Sequence, residues 1–298
     1  MSEGLSFSST RFPKILLLGN GILRLYDGGN WDDLLKQIGP KTAKGKDLTN
    51  IPYAMQPEAL CGVDVETVQR QTAVAIHEAD IKKKSILRRI LELPFDAILT
   101  TNYAYEIESV LIDGKWTGYK KKKAFTTLDG HSHVRHNTSI YNMVHCKDGR
   151  DIPVFHIHGE RLRKHSLVLS YYSYANAVSR LIELNKQRGN DYQEKQIASE
   201  EIVAKSWLDY FLMGEVYAVG FGFDPSEFDI WWAIERKARE RANHGTLHAL
   251  MTEENMDKKP QKILFEAMKV DLHNFVPVYK DYDQAYEDIL KFLSGIVK

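Results

Sequence analysis

The run Lys14-Ile15-Leu16-Leu17-Leu18 passes directly into Gly19-Asn20-Gly21, and this junction constrains the fold more than any other feature. A continuous apolar stretch with no polar alternation needs cover on both faces, as a parallel strand between helical layers has. Similar short runs recur at Phe95–Thr100, at the segment ending in His156 and His158, at Glu215–Gly220 and at Leu247–Met251. Asn274–Tyr279 and Ser166–Ser170 read as further extended pieces. Helical patterns separate them: Trp31–Ile38, Val63–His77, Asp80–Leu93, a helix after Tyr103, Tyr174–Gln187, Gln193–Leu212, a helix to about Ala242, Lys262–Met268 and Asp283–Leu293. Strands alternating with helices along the whole chain predict an α/β fold, a Rossmann-like doubly wound, mostly parallel sheet with a helical insertion lobe.

The chain of 298 residues suits one domain, 1–298. The core is expected over about 14–110, 150–170 and 214–298, with helical or loop insertions at about 39–94, 112–150 and 171–213. The polar stretch 112–152 holds Lys120 to Lys123 and His131, His133, His136 and His145. Lys120 to Lys123 reads as a solvated loop. The histidine spacings fit no closed zinc pattern, so no metal site is expected there. Forty basic residues balance forty acidic ones, which argues against a nucleic-acid or anionic-membrane partner. Cys61 and Cys146 form no CxxC pair, so neither a structural zinc nor a disulfide scaffold is expected. Met1–Thr10 is polar and does not read as a signal peptide, and no apolar run reaches membrane-spanning length. A cytoplasmic location is expected.

The loops after the strands carry the chemistry. Gly19, Asn20 and Gly21 stand where a dinucleotide fold places its phosphate loop, although Arg24 occupies the third glycine position; a plain tight turn is the alternative. Trp31, after Gly28-Gly29-Asn30, offers a ring to cover a flat heterocycle or to fill the core. In Thr100-Thr101-Asn102-Tyr103, the Asn102 amide has donors and an acceptor with which to orient a ribose hydroxyl and a water; the alternative is a helix N-cap. Gly220-Phe221-Gly222-Phe223-Asp224 suits a second nucleotide contact, or an ordinary strand-to-helix turn. Asp224-Pro225-Ser226-Glu227 reads as a capping box with proline at the first helical position. His158, at a strand end before Gly159, is the candidate base. His156 is expected to point away from it and to be structural.

The ordered series Gly-Asn-Gly-Ile, Thr-Thr-Asn-Tyr, His-Ile-His-Gly, Leu-Val-Leu-Ser and Gly-Phe-Gly-Phe-Asp-Pro resembles bacterial sirtuin-like domains that hydrolyse NAD. The resemblance runs from about Lys14 to Ala242. It implies a phosphate loop at Gly19, Asn20 and Gly21, a catalytic asparagine at Asn102, a catalytic histidine at His158 and a later nucleotide contact at Gly220 to Gly222. It also implies, for many members, NAD depletion in antiphage defence. The two cysteine pairs that hold zinc in protein-deacetylating relatives are missing, so no zinc is expected and deacetylation is disfavoured. Ala104 stands where the family commonly has an aspartate that contacts the nicotinamide amide.

The function expected is an NAD glycohydrolase that releases nicotinamide and ADP-ribose, with NAD as substrate and no cofactor. His158 acts as base and Asn102 fixes ribose and water. Thr100, Thr101, Tyr103, Trp31, Phe221 and Asp224 complete the expected binding set. A homo-oligomer and a defence-system partner protein are further expectations. The alternative is a sensor module that binds NAD or ADP-ribose without turnover.

Overall fold

The structure is a computed structural model that describes residues 5–8, 12–26, 28, 29, 31–38, 46–62, 64–81, 85–116, 137–196, 201–204, 206–240 and 244–298. Its nine strands are β1 (Leu5–Ser8), β2 (Lys14–Leu18), β3 (Ala97–Thr100), β4 (Asn142–His145), β5 (Asp151–His156), β6 (Glu201–Ala204), β7 (Glu215–Val219), β8 (Leu247–Met251) and β9 (Asp271–Asn274). The ten α-helices are α1 (Trp31–Gln37), α2 (Gln56–Cys61), α3 (Val65–Ala75), α4 (Ile86–Leu91), α5 (Glu106–Leu111), α6 (Tyr171–Gln196), α7 (Trp207–Met213), α8 (Phe228–Arg239), α9 (Pro260–Ala267) and α10 (Tyr282–Ile296). These counts refer to the described residues.

Seven strands form one sheet in the order β4-β5-β3-β2-β7-β8-β9. Every pairing in it is parallel except β4 with β5. This is the mostly parallel, doubly wound α/β sheet expected from the sequence. The apolar runs explain its burial: Ile15 and Leu17 face one core with Leu99, Phe155 and Ala218, together with α7 and α8. Leu16 and Leu18 face the other with Ile98, Val154 and Val219, beneath α4, α5 and α10. Alternate side chains of each strand thus fill opposite layers, the arrangement a continuous apolar run requires.

Local chemistry sets several helix starts. The Ser85 hydroxyl accepts from the Arg88 amide at α4, and Ser206 with Asp209 closes a capping box at α7. The buried Lys237 ammonium of α8 donates to the carbonyls of Phe211, Leu212 and Gly214, satisfying the end of α7.

Several elements differ from the sequence reading. The helix expected over Asp80–Leu93 is confined to α4 in the described residues, because Ser85 caps it. The two helices expected within 174–212 are one long α6, then β6, then α7. β6 pairs antiparallel with β1 in a separate two-stranded sheet, and neither strand was legible locally. Leu167 to Leu169 form no strand, although the Val168 amide donates to the His158 carbonyl at 2.8 Å. The last strand is β9, ahead of the expected Asn274–Tyr279. Pro277 lacks an amide hydrogen there, and Tyr279 and Lys280 take left-handed conformations. The stretch read as a long loop contains β4, whereas Lys120 to Lys123 and His131, His133 and His136 lie outside the described residues. His145 is exposed and pairs with Asp151 at 2.8 Å. Among the described residues no helix is long and apolar enough to cross a membrane.

Candidate active site

The strand order reverses between β2 and β7, whose neighbours lie in opposite directions along the sheet. Open α/β sheets bind ligands outside the carboxyl ends of the strands at such a switch point. A cavity of about 740 Å³ lies there, lined from the loops that follow β2, β3, β5, β7 and β8. That volume falls within the range of about 300–1,000 Å³ usual for small-molecule sites.

The glycines of the first and last loops serve each other as well as the cavity. Gly21 donates its amide to the Gly220 carbonyl at 2.7 Å, and Gly19 donates to the Val219 carbonyl at 3.0 Å. A Cβ at Gly19 would lie 2.4 Å from the Gly220 oxygen, and one at Gly21 would lie 2.8 Å from it. Gly220 itself has a φ of +62°. Two backbones this close exclude side chains, so both glycine loops are needed to build one wall. Asn20 donates its side-chain amide to the Gly29 carbonyl, folding the following segment over the cavity. Gly222 faces open space.

Most expected residues line this cavity: Gly19, Asn20, Gly21 and Trp31 from the chain after β2, Thr101, Asn102 and Tyr103 after β3, His158 after β5, and Gly220, Phe221, Gly222 and Asp224 after β7. Thr100 does not. It is fully buried at the end of β3, and its hydroxyl donates to the Leu18 carbonyl at 2.8 Å. It also accepts from the Asn102 amide at 3.1 Å, so it shapes the loop from behind. Phe221 lines the cavity but is mostly core, packed edge-on against Phe223 with centroids 4.7 Å apart. Trp31 anchors through its indole to Gln56 at 2.7 Å. The capping-box reading of 224–227 does not hold. Asp224 Oδ1 accepts from the amide and hydroxyl of Ser226, and α8 begins three residues beyond Pro225.

Asn102 is not a helix cap, since α5 starts at Glu106 with Tyr105 at its N-cap. Its side-chain amide reaches the Gly19 carbonyl at 3.4 Å, linking the β3 loop to the β2 loop. Its own carbonyl is held by His156, whose Nδ1 donates to it at 2.6 Å. His156 Nε2 meets Glu108 Oε1 at 2.8 Å on α5. With an acceptor at each nitrogen the ring is doubly protonated. Burial disfavours that charge, but Glu108, Glu160 and the Asn102 carbonyl outweigh it and bring the pKa up to about 9. Asn142 bridges Glu108 and Glu160, completing a buried network behind the Asn102 loop.

His158 lies beyond the end of β5. In a continuous strand, residues two apart would share a face; here the strand stops at His156 and the chain turns before Gly159, whose φ is +87°. His158 therefore leaves His156 on the α5 side and meets α8. Its Nε2 lies 3.1 and 3.2 Å from the two oxygens of Asp229. Its ring sits edge-on to Tyr174 at 5.3 Å. Burial lowers the pKa of this imidazole, but the Asp229 carboxylate, its hydrogen bond and Glu227 hold it above the ordinary value. With Nε2 directed to a carboxylate, Nδ1 is the nitrogen that carries the lone pair once the ring is neutral, and it has no hydrogen bond among the described residues. The phenols of Tyr103 and Tyr174 are pushed upward by burial and the nearby carboxylates, so both remain protonated.

Asp229, Glu227 and Tyr174 were not among the site residues expected from the sequence. Asp229 lies in the first turn of α8, where an acidic residue is commonplace beside the helix dipole. Ala104 is buried on the cavity wall, and the next carboxyl along the chain, Glu106, lines the same cavity. Burial pushes Glu106 up to about 7, against the bond it accepts from the Ala79 amide. Among the described residues no cluster of histidine, cysteine and carboxylates is arranged to hold a metal ion.

A family model described as a SIR2-like domain matches residues 96–273, more than half of the chain. The match takes in Asn102, His158, the Gly220 loop and Asp229; the Gly19 loop lies outside it. No curated protein matches the chain.

Proposed function

The chain belongs to the SIR2-like domain family, and from that premise we propose that it is an NAD glycohydrolase, cleaving NAD to nicotinamide and ADP-ribose. SIR2-like domains are typically NAD-dependent enzymes. The observation that carries the finer reading is the His158–Asp229 pair at the wall of the switch-point cavity, which it shares with Asn102 and both glycine loops.

The pyridinium of NAD is already a good leaving group, so no acid is needed to protonate it, in contrast to an ordinary glycosidase. Water adds to the anomeric carbon, the C–N bond breaks with its electrons passing to the nicotinamide ring, and one proton is released. His158, oriented by Asp229 and presenting Nδ1, would act as base toward the water or a ribose hydroxyl, a contribution of about 10²–10⁴-fold. Asn102, pinned by His156 and directed to Gly19, would fix ribose and water; such positioning is worth roughly 7–11 kcal/mol at its best. The backbone amides of the Gly19 and Gly220 loops suit the pyrophosphate. Hydrolysis would deplete cellular NAD, and the proposed setting is antiphage defence.

The test is nicotinamide release from NAD by the purified chain, followed chromatographically. We expect wild-type turnover and losses of about 10²-fold or more in His158→Ala and Asn102→Ala. Equal turnover by wild type and His158→Ala would remove the proposed base. Ala104 favours a second reading, a sensor that binds NAD or ADP-ribose without turnover; calorimetric NAD binding with no nicotinamide after long incubation would select it. For the cellular role, NAD falls on phage challenge in cells carrying the wild type and holds in those carrying His158→Ala.

A further inference from the structure

Glu227 is a carboxylate with no hydrogen-bond or ion-pair partner among the described residues. It occupies the N-cap of α8, yet its side chain accepts no bond from the helix amides, the role a carboxylate normally takes there. Its backbone is satisfied, donating to the Asp224 carbonyl at 3.0 Å and accepting from the Trp231 amide at 3.0 Å. Its side chain makes no hydrogen bond or ion pair with any described residue, and it lines the cavity at the His158 end.

The groups that act on it come from five places. Asp229 shares its helix, Asp224 lies in the preceding loop, His158 follows β5, and the Tyr103 and Tyr174 phenols come from the β3 loop and α6. Asp224 is engaged by Ser226 and Asp229 by His158. Of these three carboxylates, the one without a hydrogen-bond partner among the described residues opens onto the cavity. Burial, with Asp229 and Asp224 beside it and His158 only partly compensating, pushes the Glu227 carboxyl up to about 7. A part-buried acid crowded by two other carboxylates is complementary to a cation entering from the cavity.

We propose that Glu227 is a further catalytic and specificity-determining residue, whose carboxylate faces the positive charge of the pyridinium and the oxocarbenium-like ribose, so that the cavity selects oxidised NAD, with its cationic ring, over the reduced form, whose dihydropyridine ring is uncharged. The inference rests on the NAD reading of the site. No proton or bond changes hands with Glu227. It acts by charge, stabilising the cation as the C–N bond lengthens.

The consequence is a linkage. A bound cation favours ionised Glu227, so cation affinity rises with pH through the range in which the free carboxyl titrates. The probe is carba-NAD, which keeps the pyridinium but has a methylene in place of the ribose ring oxygen and is not hydrolysed. Its affinity and that of NADH are measured calorimetrically at about pH 6, 7 and 8 for wild type, Glu227→Gln and His158→Ala. Wild type is expected to bind carba-NAD more tightly as pH rises, by up to about tenfold per unit, with NADH nearly flat. Glu227→Gln loses that slope and His158→Ala keeps it. In turnover, Glu227→Gln loses about 10²-fold in kcat. Because glutamine removes an unpaired charge, the variant melts no lower than wild type at pH 8.

A slope that persists in Glu227→Gln and vanishes in His158→Ala assigns the titration to the imidazole and overturns the proposal. Equal affinity of wild type for carba-NAD and NADH at pH 8 overturns it as well. Absence of nicotinamide release with the binding pattern intact refutes the hydrolase reading and leaves Glu227 as the cation-selecting group. Failure of both dinucleotides to bind refutes the NAD reading and the inference together.

Discussion

Replacing Asp229 by asparagine probes the contact on which the reactivity of His158 depends. The amide keeps the shape of the carboxylate but removes the charge that lies 3.1 and 3.2 Å from Nε2 in a buried setting. A hydrogen bond to a charged group contributes about 1.5–3 kcal/mol and a neutral one about 0.5–1.5, so the substitution weakens this contact by about 1–2 kcal/mol. Stability and rate should respond with opposite pH signatures. The carboxylate holds the imidazole pKa above its ordinary value against burial, which lowers it. The stabilisation from that raised value is fully present below the unfolded pKa and is lost as pH rises through the folded one. The stability deficit of Asp229→Asn is therefore greatest near pH 6 and narrows toward pH 9. For the rate, an imidazole freed from the carboxylate deprotonates more readily, so the acid limb of the kcat profile moves to lower pH. Its maximum falls by about 10²–10⁴-fold as the ring loses orientation and basicity. Urea unfolding at about pH 6, 7.5 and 9 reads the first signature, and nicotinamide release from about pH 5.5 to 9 reads the second. Because Asp229 also raises the Glu227 carboxyl, the pair is compared in a Glu227→Gln background, where the difference reports on the Asp229–His158 contact. An identical deficit at pH 6 and pH 9, with the acid limb unmoved, would refute the assigned coupling.

Asn102→Ala is expected to bind carba-NAD within a few-fold of wild type while kcat falls about 10²-fold or more; a parallel loss of affinity would make Asn102 a binding rather than a positioning group. Gly19→Ala places a Cβ 2.4 Å from the Gly220 oxygen and should cost about 1–3 kcal/mol by forcing the loops apart. Gly222→Ala meets no neighbour and should change unfolding free energy by less than about 0.5 kcal/mol. His156→Leu strands the buried Glu108, one oxygen of which already lacks a hydrogen bond, and should cost about 3–5 kcal/mol in urea unfolding. The His156 contribution is present below its ordinary pKa and lost as pH rises through about 9, so this deficit should shrink at strongly alkaline pH.

The sheet and most of its strand ends were legible in the sequence because both are local properties. An apolar run long enough for one strand, closed by glycine or a polar loop, marks β2, β3, β7 and β8 without reference to the rest of the chain. The same locality picked out Gly19, Asn102, His158 and Gly220 as loop residues at strand ends. Where pairing or capping decided the element, the sequence was silent. β1 and β6 are extended only through each other, and α4 is short because Ser85 caps it.

What tertiary structure alone decided is which loops meet and what stands behind them. The Gly19 and Gly220 loops form one wall because β2 and β7 are neighbours at the switch point, which no spacing in the sequence encodes. Asp229 lies 71 residues from His158 and looked like an ordinary first-turn acid, since a helix start favours a carboxylate whatever else it does. Glu227 looked like part of a cap until the fold left its side chain uncapped and facing the cavity. His156 is buried in a hydrogen-bonded network whose other members, the Asn102 carbonyl and Glu108, belong to other elements. Periodicity and turn chemistry are written into neighbouring residues and determined the strands and their loops. Charge pairing acts through space between distant segments, and only the folded chain decided that His158 has a carboxylate beside it and that Glu227 faces the cavity without a partner among the described residues.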